Sequence, residues 1–180
     1  MEFRIDALPP LVALTAIAVV ILAAISDLIR ARIPNWITVP GVVLGLGLHA
    51  YYGGLAGAAS SAAGMALGFG FFMVLHLAGG MGAGDVKLAG AVGALVGARM
   101  FIAVFIATGL LGGVAAIVLS LARGRLRQTL AGTGALLANL GHFRWGAVQQ
   151  SSSLDSPGAL RLPYGAVIAG GTIAAIAIFH

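Results

Sequence analysis

The sequence predicts an all-α fold: a polytopic membrane helix bundle of about six transmembrane helices, with both termini outside. Three observations carry this prediction. Of 180 residues, 60% are hydrophobic and only 8% are charged, too few charges to cover a water-facing exterior. The mean hydropathy is +1.06, and apolar runs recur at lengths near the ~20 residues that cross a bilayer as a helix. Alternation of polar and apolar residues is absent, which argues against a β-barrel. Residues 1–180 are therefore expected to form a single membrane-embedded domain, with no separate soluble domain of ordinary size.

The first span is expected at about 8–29, with Pro9 and Pro10 in the first turn, where proline is tolerated. The opening "MEFRIDALPP" mixes acids with one arginine and lacks the basic start of a cleaved signal peptide, so this span is expected to be retained. Pro34-Asn35 marks a turn, and Trp36 suits a membrane interface. The second span follows at about 36–51, a short turn at "YYGGLAG", and the third at about 55–77. Residues 86–122 are too long for one helix crossing a ~30 Å core at ~1.5 Å per residue. They divide at "GARM" (97–100) into a short fourth span, 86–96, expected to pack inside the bundle, and a fifth, 101–122. Residues 123–159 read as a cytoplasmic loop in which Leu126, Leu130, Leu137 and Leu140 mark an interfacial amphipathic helix. The last span is expected at about 160–179.

The basic residues orient this topology. With the termini outside, Arg30, Arg32, Lys87, Arg123, Arg125, Arg127, Arg144 and Arg161 fall inside, and only Arg4 and Arg99 outside. That agrees with the positive-inside rule, and joining 86–122 into one span would spoil the agreement. The expected location is the cytoplasmic (inner) membrane, multi-pass. The net charge of +5 comes from residues scattered at span ends, so no nucleic-acid partner is expected. With no cysteine, disulfides, thiolate metal sites and a cysteine nucleophile are excluded. Glycines at small-xxx-small spacing (Gly41/Gly45, Gly53/Gly57, Gly64/Gly68, Gly93/Gly97, Gly109/Gly113) read as packing faces.

The acids are Glu2, Asp6, Asp27, Asp85 and Asp155. Only Asp27 and Asp85 fall within the membrane domain, and the topology puts both at the cytoplasmic end of a span. Each has an ordinary structural explanation: Asp27 pairs with Arg30 along its helix, and Asp85 is the N-cap of span four. Ionisable groups beside hydrocarbon nevertheless point to function. Two carboxylates at one depth can share a proton, one activating a water while the other polarises a carbonyl. Gly82 and Gly84, just before Asp85, are candidates for substrate binding: without Cβ atoms they can take positive φ and let an extended peptide approach. Lys87 is a weaker substrate-binding candidate, with lipid headgroups as its ordinary partner. Asp155 reads as a solvated loop residue.

Three segments resemble a known family. "GMGAGDVKL" is similar to the GxGD signature of type IV prepilin peptidases, "SDLIRARIPNWIT" to their first aspartate region, and "LPYGAVIAGG" to the Pro-Tyr-Gly stretch that opens their last span. The resemblance implies a membrane aspartic endopeptidase with Asp27 and Asp85 as the catalytic pair and no metal or other cofactor. It implies cleavage of pilin-like precursors, each a basic leader plus a hydrophobic helix, at the cytoplasmic face. Larger members carry a cysteine-rich cytoplasmic domain and also methylate the new N-terminus. This chain looks like the short form without that domain, so N-methyltransferase activity is not expected.

Rival readings use the same residues. A proton-coupled transporter or channel using the two aspartates would show midplane acids and internal repeats; neither is seen. A presenilin-like protease would carry its first aspartate deep within a span. A serine intramembrane protease is poorly served, with Ser60 and Ser61 at one end of the third span and His76 at the other.

Overall fold

The computed structural model describes residues 8–77, 81–122 and 164–179. Four helices account for nearly all of them: α1 (Pro10–Arg30), α2 (Asn35–Leu77), α3 (Ala83–Ala122) and α4 (Tyr164–Phe179). The expected surface helix around 126–140, Asp155, and the start of the last span before residue 164 lie outside the described residues.

Helix α1 starts as its prolines dictate. Pro9 is the N-cap and Pro10 the first helical residue, where the missing N–H has no intrahelical acceptor to lose. The helix stops at Ala31, which adopts the left-handed conformation (φ 49°) and donates its N–H to the Asp27 carbonyl at 2.8 Å. The Ser26 hydroxyl donates to the Arg32 carbonyl and ties the turn back onto the helix. Pro34 then accepts the Ile37 N–H as α2 begins.

Helices α2 and α3 each contain one residue that no α-helix accommodates: Gly54 (φ 56°, ψ −142°) and Gly97 (φ 75°, ψ 169°). Only glycine takes these angles without strain. Packing shows that the chain reverses at both. In the first half of α2, Gly41 faces Ala91 and Leu95, and Gly45 faces Ala94; this half runs alongside α3 in the same direction. In the second half, Gly64 faces Gly93 and Gly68 faces Ala89; the order is inverted. The second half of α3 then runs back beside the second half of α2, with Phe105 against Phe71 and Phe72 (ring centroids 5.0 and 6.1 Å apart). Finally α4 lies against α3, with Gly171 on Thr108.

The described chain is therefore six helical segments of alternating direction, reversing within a single residue at Gly54 where the sequence suggested a longer turn. Segment 83–96 is the centre of the bundle, with Leu88, Val92 and Leu95 fully buried, as its short length predicts. Helices approach closely because glycine faces glycine: Gly64 and Gly93 sit backbone to backbone. Large apolar side chains point outward along the whole bundle, among them Ile29, Leu55, Leu110 and Ile178. A water-soluble protein seldom exposes so much apolar surface. Helices α1, α2 and α3 are long and apolar enough to cross a membrane.

Candidate active site

The alternation of direction gathers one set of helix ends: the end of α1, both ends of α2 and of α3, and the start of α4. Asp27 lies in the last turn of α1 and is half-buried. Its Oδ2 accepts the backbone N–H of Gly165 at 2.9 Å. Gly165 is the second residue of α4, so its N–H has no intrahelical acceptor and is available to a foreign carboxylate.

Asp85 is buried and occupies the third position of α3. Its Oδ2 accepts the Gly82 N–H at 3.1 Å, and its own N–H donates to the Gly82 carbonyl at 3.1 Å. Gly82 is thus the N-cap, and Asp85 takes the reciprocal, third-residue role of a capping box. The sequence reading of Asp85 as the N-cap itself is corrected. A glycine cap has no side chain to offer the first turn, so the acid three residues on completes the cap.

The two carboxylates, contributed by different helices, lie within electrostatic range of each other. His76, at the end of α2, and Tyr164, at the start of α4, are also within range of Asp85. The His76 Nδ1 is 2.8 Å from the Met81 carbonyl; since a carbonyl only accepts, that nitrogen carries the hydrogen. Among the described residues, no group of three His, Asp or Glu side chains is placed to hold a metal ion.

The other candidate residues are disposed differently. Neither Gly82 nor Gly84 has positive φ; among the described residues only Gly54, Gly97 and Ala31 do. Gly84 instead makes room for Ile33, whose Cβ would lie 3.3 Å from a Cβ at 84. This contact docks the turn after α1 onto the start of α3, and with it Asp27's helix end onto Asp85's. Lys87 is exposed and donates to Asn35 Oδ1 at 3.1 Å. Two residues from Asp85 is ~200° around a helix, and Lys87 accordingly lies away from the carboxylates.

Sequence reasoning missed Gly165 as a partner of Asp27, and with it Tyr164 and His76. Its one available signal was the Pro-Tyr-Gly stretch, quoted above without a physical role.

This is a membrane-type helix bundle carrying a carboxylate from each of two helices at one end. Comparison with protein families takes the identification further: residues 14–117 match the type IV leader peptidase family. The chain belongs to that family, and therefore to the proteases. No curated protein and no solved structure matches it. The matched residues include both aspartates and end before Gly165.

Proposed function

We propose that this protein is an aspartic endopeptidase of the cytoplasmic membrane that removes the leader of pilin-like precursors at the cytoplasmic face. The observation that carries the proposal is the convergence of Asp27 and Asp85, far apart in sequence, within electrostatic range at one end of the bundle.

In the reaction, the ionised member of the pair takes a proton from a water molecule. The water oxygen attacks the scissile carbonyl carbon as the protonated member donates its proton to the carbonyl oxygen. Collapse of the resulting diol breaks the C–N bond; a proton moves to the leaving nitrogen and the pair returns to its shared-proton state. Each carboxylate is held through Oδ2 by a backbone N–H, an arrangement that leaves Oδ1 for water and substrate. A precursor's apolar helix would lie in the bilayer beside the enzyme, bringing the leader junction to the depth of the pair. The six segments would cross the membrane six times, with both termini outside.

The test is cleavage of a pilin-like precursor by Asp27→Asn and Asp85→Asn. Asparagine keeps the shape but cannot exchange the proton. Each substitution alone should cut the rate by at least about a thousandfold, and Asp155→Asn should leave it unchanged. Near-normal processing by either membrane variant would eliminate the aspartic mechanism and return the pair to a structural or ion-relay role.

A further inference from the structure

We infer that Gly165 is a positioning residue for Asp27: its backbone N–H fixes one carboxylate oxygen, and the lack of a side chain is what lets α4 come that close. The inference rests on the proposed function, because it assigns Asp27 a geometry that matters only if Asp27 reacts.

The two aspartates face opposite local problems. Asp85 stands in the first turn of its own helix, where an N–H of the same turn is at hand, and Gly82 supplies it. Asp27 stands in the last turn of α1, where the nearby backbone groups are carbonyls. Those present partial negative charge and offer a carboxylate nothing. Even the Asp27 carbonyl is already taken by Ala31. A donor for the Asp27 side chain must come from another element, and the start of α4 provides it.

The fit is tight. A Cβ on Gly165 would lie 2.9 Å from both Cβ and Oδ2 of Asp27 and 3.1 Å from Cγ. Asp27 Cβ is fixed to the helix backbone and cannot swing aside, so any side chain at 165 must push α1 and α4 apart or turn the carboxylate away. Gly165 is itself buried. Glycine at this position therefore does two separable things: it supplies a hydrogen and it leaves a space.

Two variants separate these contributions. Gly165→Ala keeps the N–H and fills the space. An ester between residues 164 and 165, made by incorporating glycolic acid at 165, keeps the space and removes the hydrogen. Each should lower kcat for precursor cleavage about 10- to 100-fold, as expected for a catalytic group displaced by around an ångström, with KM changed less than about twofold. Gly171→Ala is the control for mere packing. It lies on the same helix, α4, but faces α3: its Cβ would lie 2.7 Å from the Cα and N of Thr108, away from the aspartates. It should lower the unfolding temperature and leave kcat of the folded protein intact. Wild-type kcat in the ester variant, or a Gly165→Ala protein that loses only stability as Gly171→Ala does, overturns the inference. Asp27→Asn assayed alongside keeps the two ideas apart. If it is active, the proposed function has failed; if it is inactive while both residue-165 variants cleave normally, only the positioning role has.

Discussion

The break in α3 at Gly97 shows how single side chains sustain a reversal in an apolar protein. In an unbroken helix Ala94 and Leu95 would pass their carbonyls to the amides four residues on. At the break these bonds are lost, and in an apolar interior each orphaned group costs roughly 1–3 kcal/mol. Three side chains from α2 repair the loss. Ser61 donates to the Ala94 carbonyl at 2.6 Å, His49 Nε2 to the Leu95 carbonyl at 2.9 Å, and Ser60 Oγ accepts the Ala98 N–H at 3.4 Å. Ser61 is fully buried, so no water replaces it. Ser61→Ala should therefore destabilise the protein by about 1–3 kcal/mol, read as a lower unfolding temperature in detergent, with cleavage by the folded fraction unchanged. An unaltered unfolding temperature would show that the Ala94 carbonyl finds another donor. The break itself was legible from sequence, since helix length and the arginine pattern both require it at "GARM". The polar residues that seal it were not. Ser60 and Ser61 read as members of a hydrophobic span because their partners lie more than thirty residues away (|i−j| is 33 for Ser61 and Ala94), and only tertiary structure brings them together.

At the level of whole helices, glycine spacing proposes more interfaces than the fold uses. Five pairs share one pattern in the sequence, yet their surroundings differ. Gly41/Gly45 and Gly64/Gly68 press on α3, and Gly93/Gly97 on α2, whereas among the described residues nothing lies within 4 Å of where a Cβ would stand at Gly109, Gly113 or Gly53. The reading of Gly109/Gly113 as a packing face is therefore corrected. Spacing records which residues share a helix face but not which way that face turns, and on a helix apolar all round the surrounding residues do not distinguish the faces. Substitution should follow the structure and not the motif. A leucine at 64 would collide with the backbone of Gly93, Gly97 and Ala98; overpacking of this kind costs typically 1–3 kcal/mol or more. A leucine at 109 projects into open space and should stay within about 0.5 kcal/mol of wild type. Unfolding of the two variants in the same detergent would decide it, and equal losses would mean that the 109 face is covered. The same limit explains the partial legibility of the site. The two aspartates stand out because acids are rare in this chain, and so can be picked out one residue at a time. Gly165 is one of 28 glycines, and nothing in its neighbourhood marks it until α4 is seen to start against Asp27.

For the molecule as a whole, the question is how many times the chain crosses the bilayer. Run straight, the 43 residues of α2 would reach about 65 Å at ~1.5 Å per residue, roughly twice the hydrocarbon thickness. Folded at Gly54, each half matches a single crossing, whereas α3 divides at Gly97 into a short central segment of about 21 Å (83–96) and a second segment (98–122) long enough to cross. The reversals place Arg30, Arg32 and Lys87 at the carboxylate end of the bundle and Arg99 at the other. That is the asymmetry expected if the carboxylate end faces the cytoplasm. Under the proposed function, that orientation would set the pair where a precursor synthesised in the cytoplasm presents its leader. The chain has no cysteine, so single cysteines can report the arrangement without background. Tyr52 and Leu55, exposed at the Gly54 reversal, and Ala31 and Leu77, exposed at the carboxylate end, are suitable positions. In intact cells a membrane-impermeant maleimide should label Tyr52→Cys and Leu55→Cys but reach Ala31→Cys and Leu77→Cys only after the membrane is opened. Labelling of positions 52 and 77 from the same side would mean that the second half of α2 does not cross. If both were labelled in intact cells, the carboxylate end would lie outside, away from the compartment in which precursors are made, and the proposed protease acting on them at the cytoplasmic face would have to be abandoned even with its two aspartates within electrostatic range of each other.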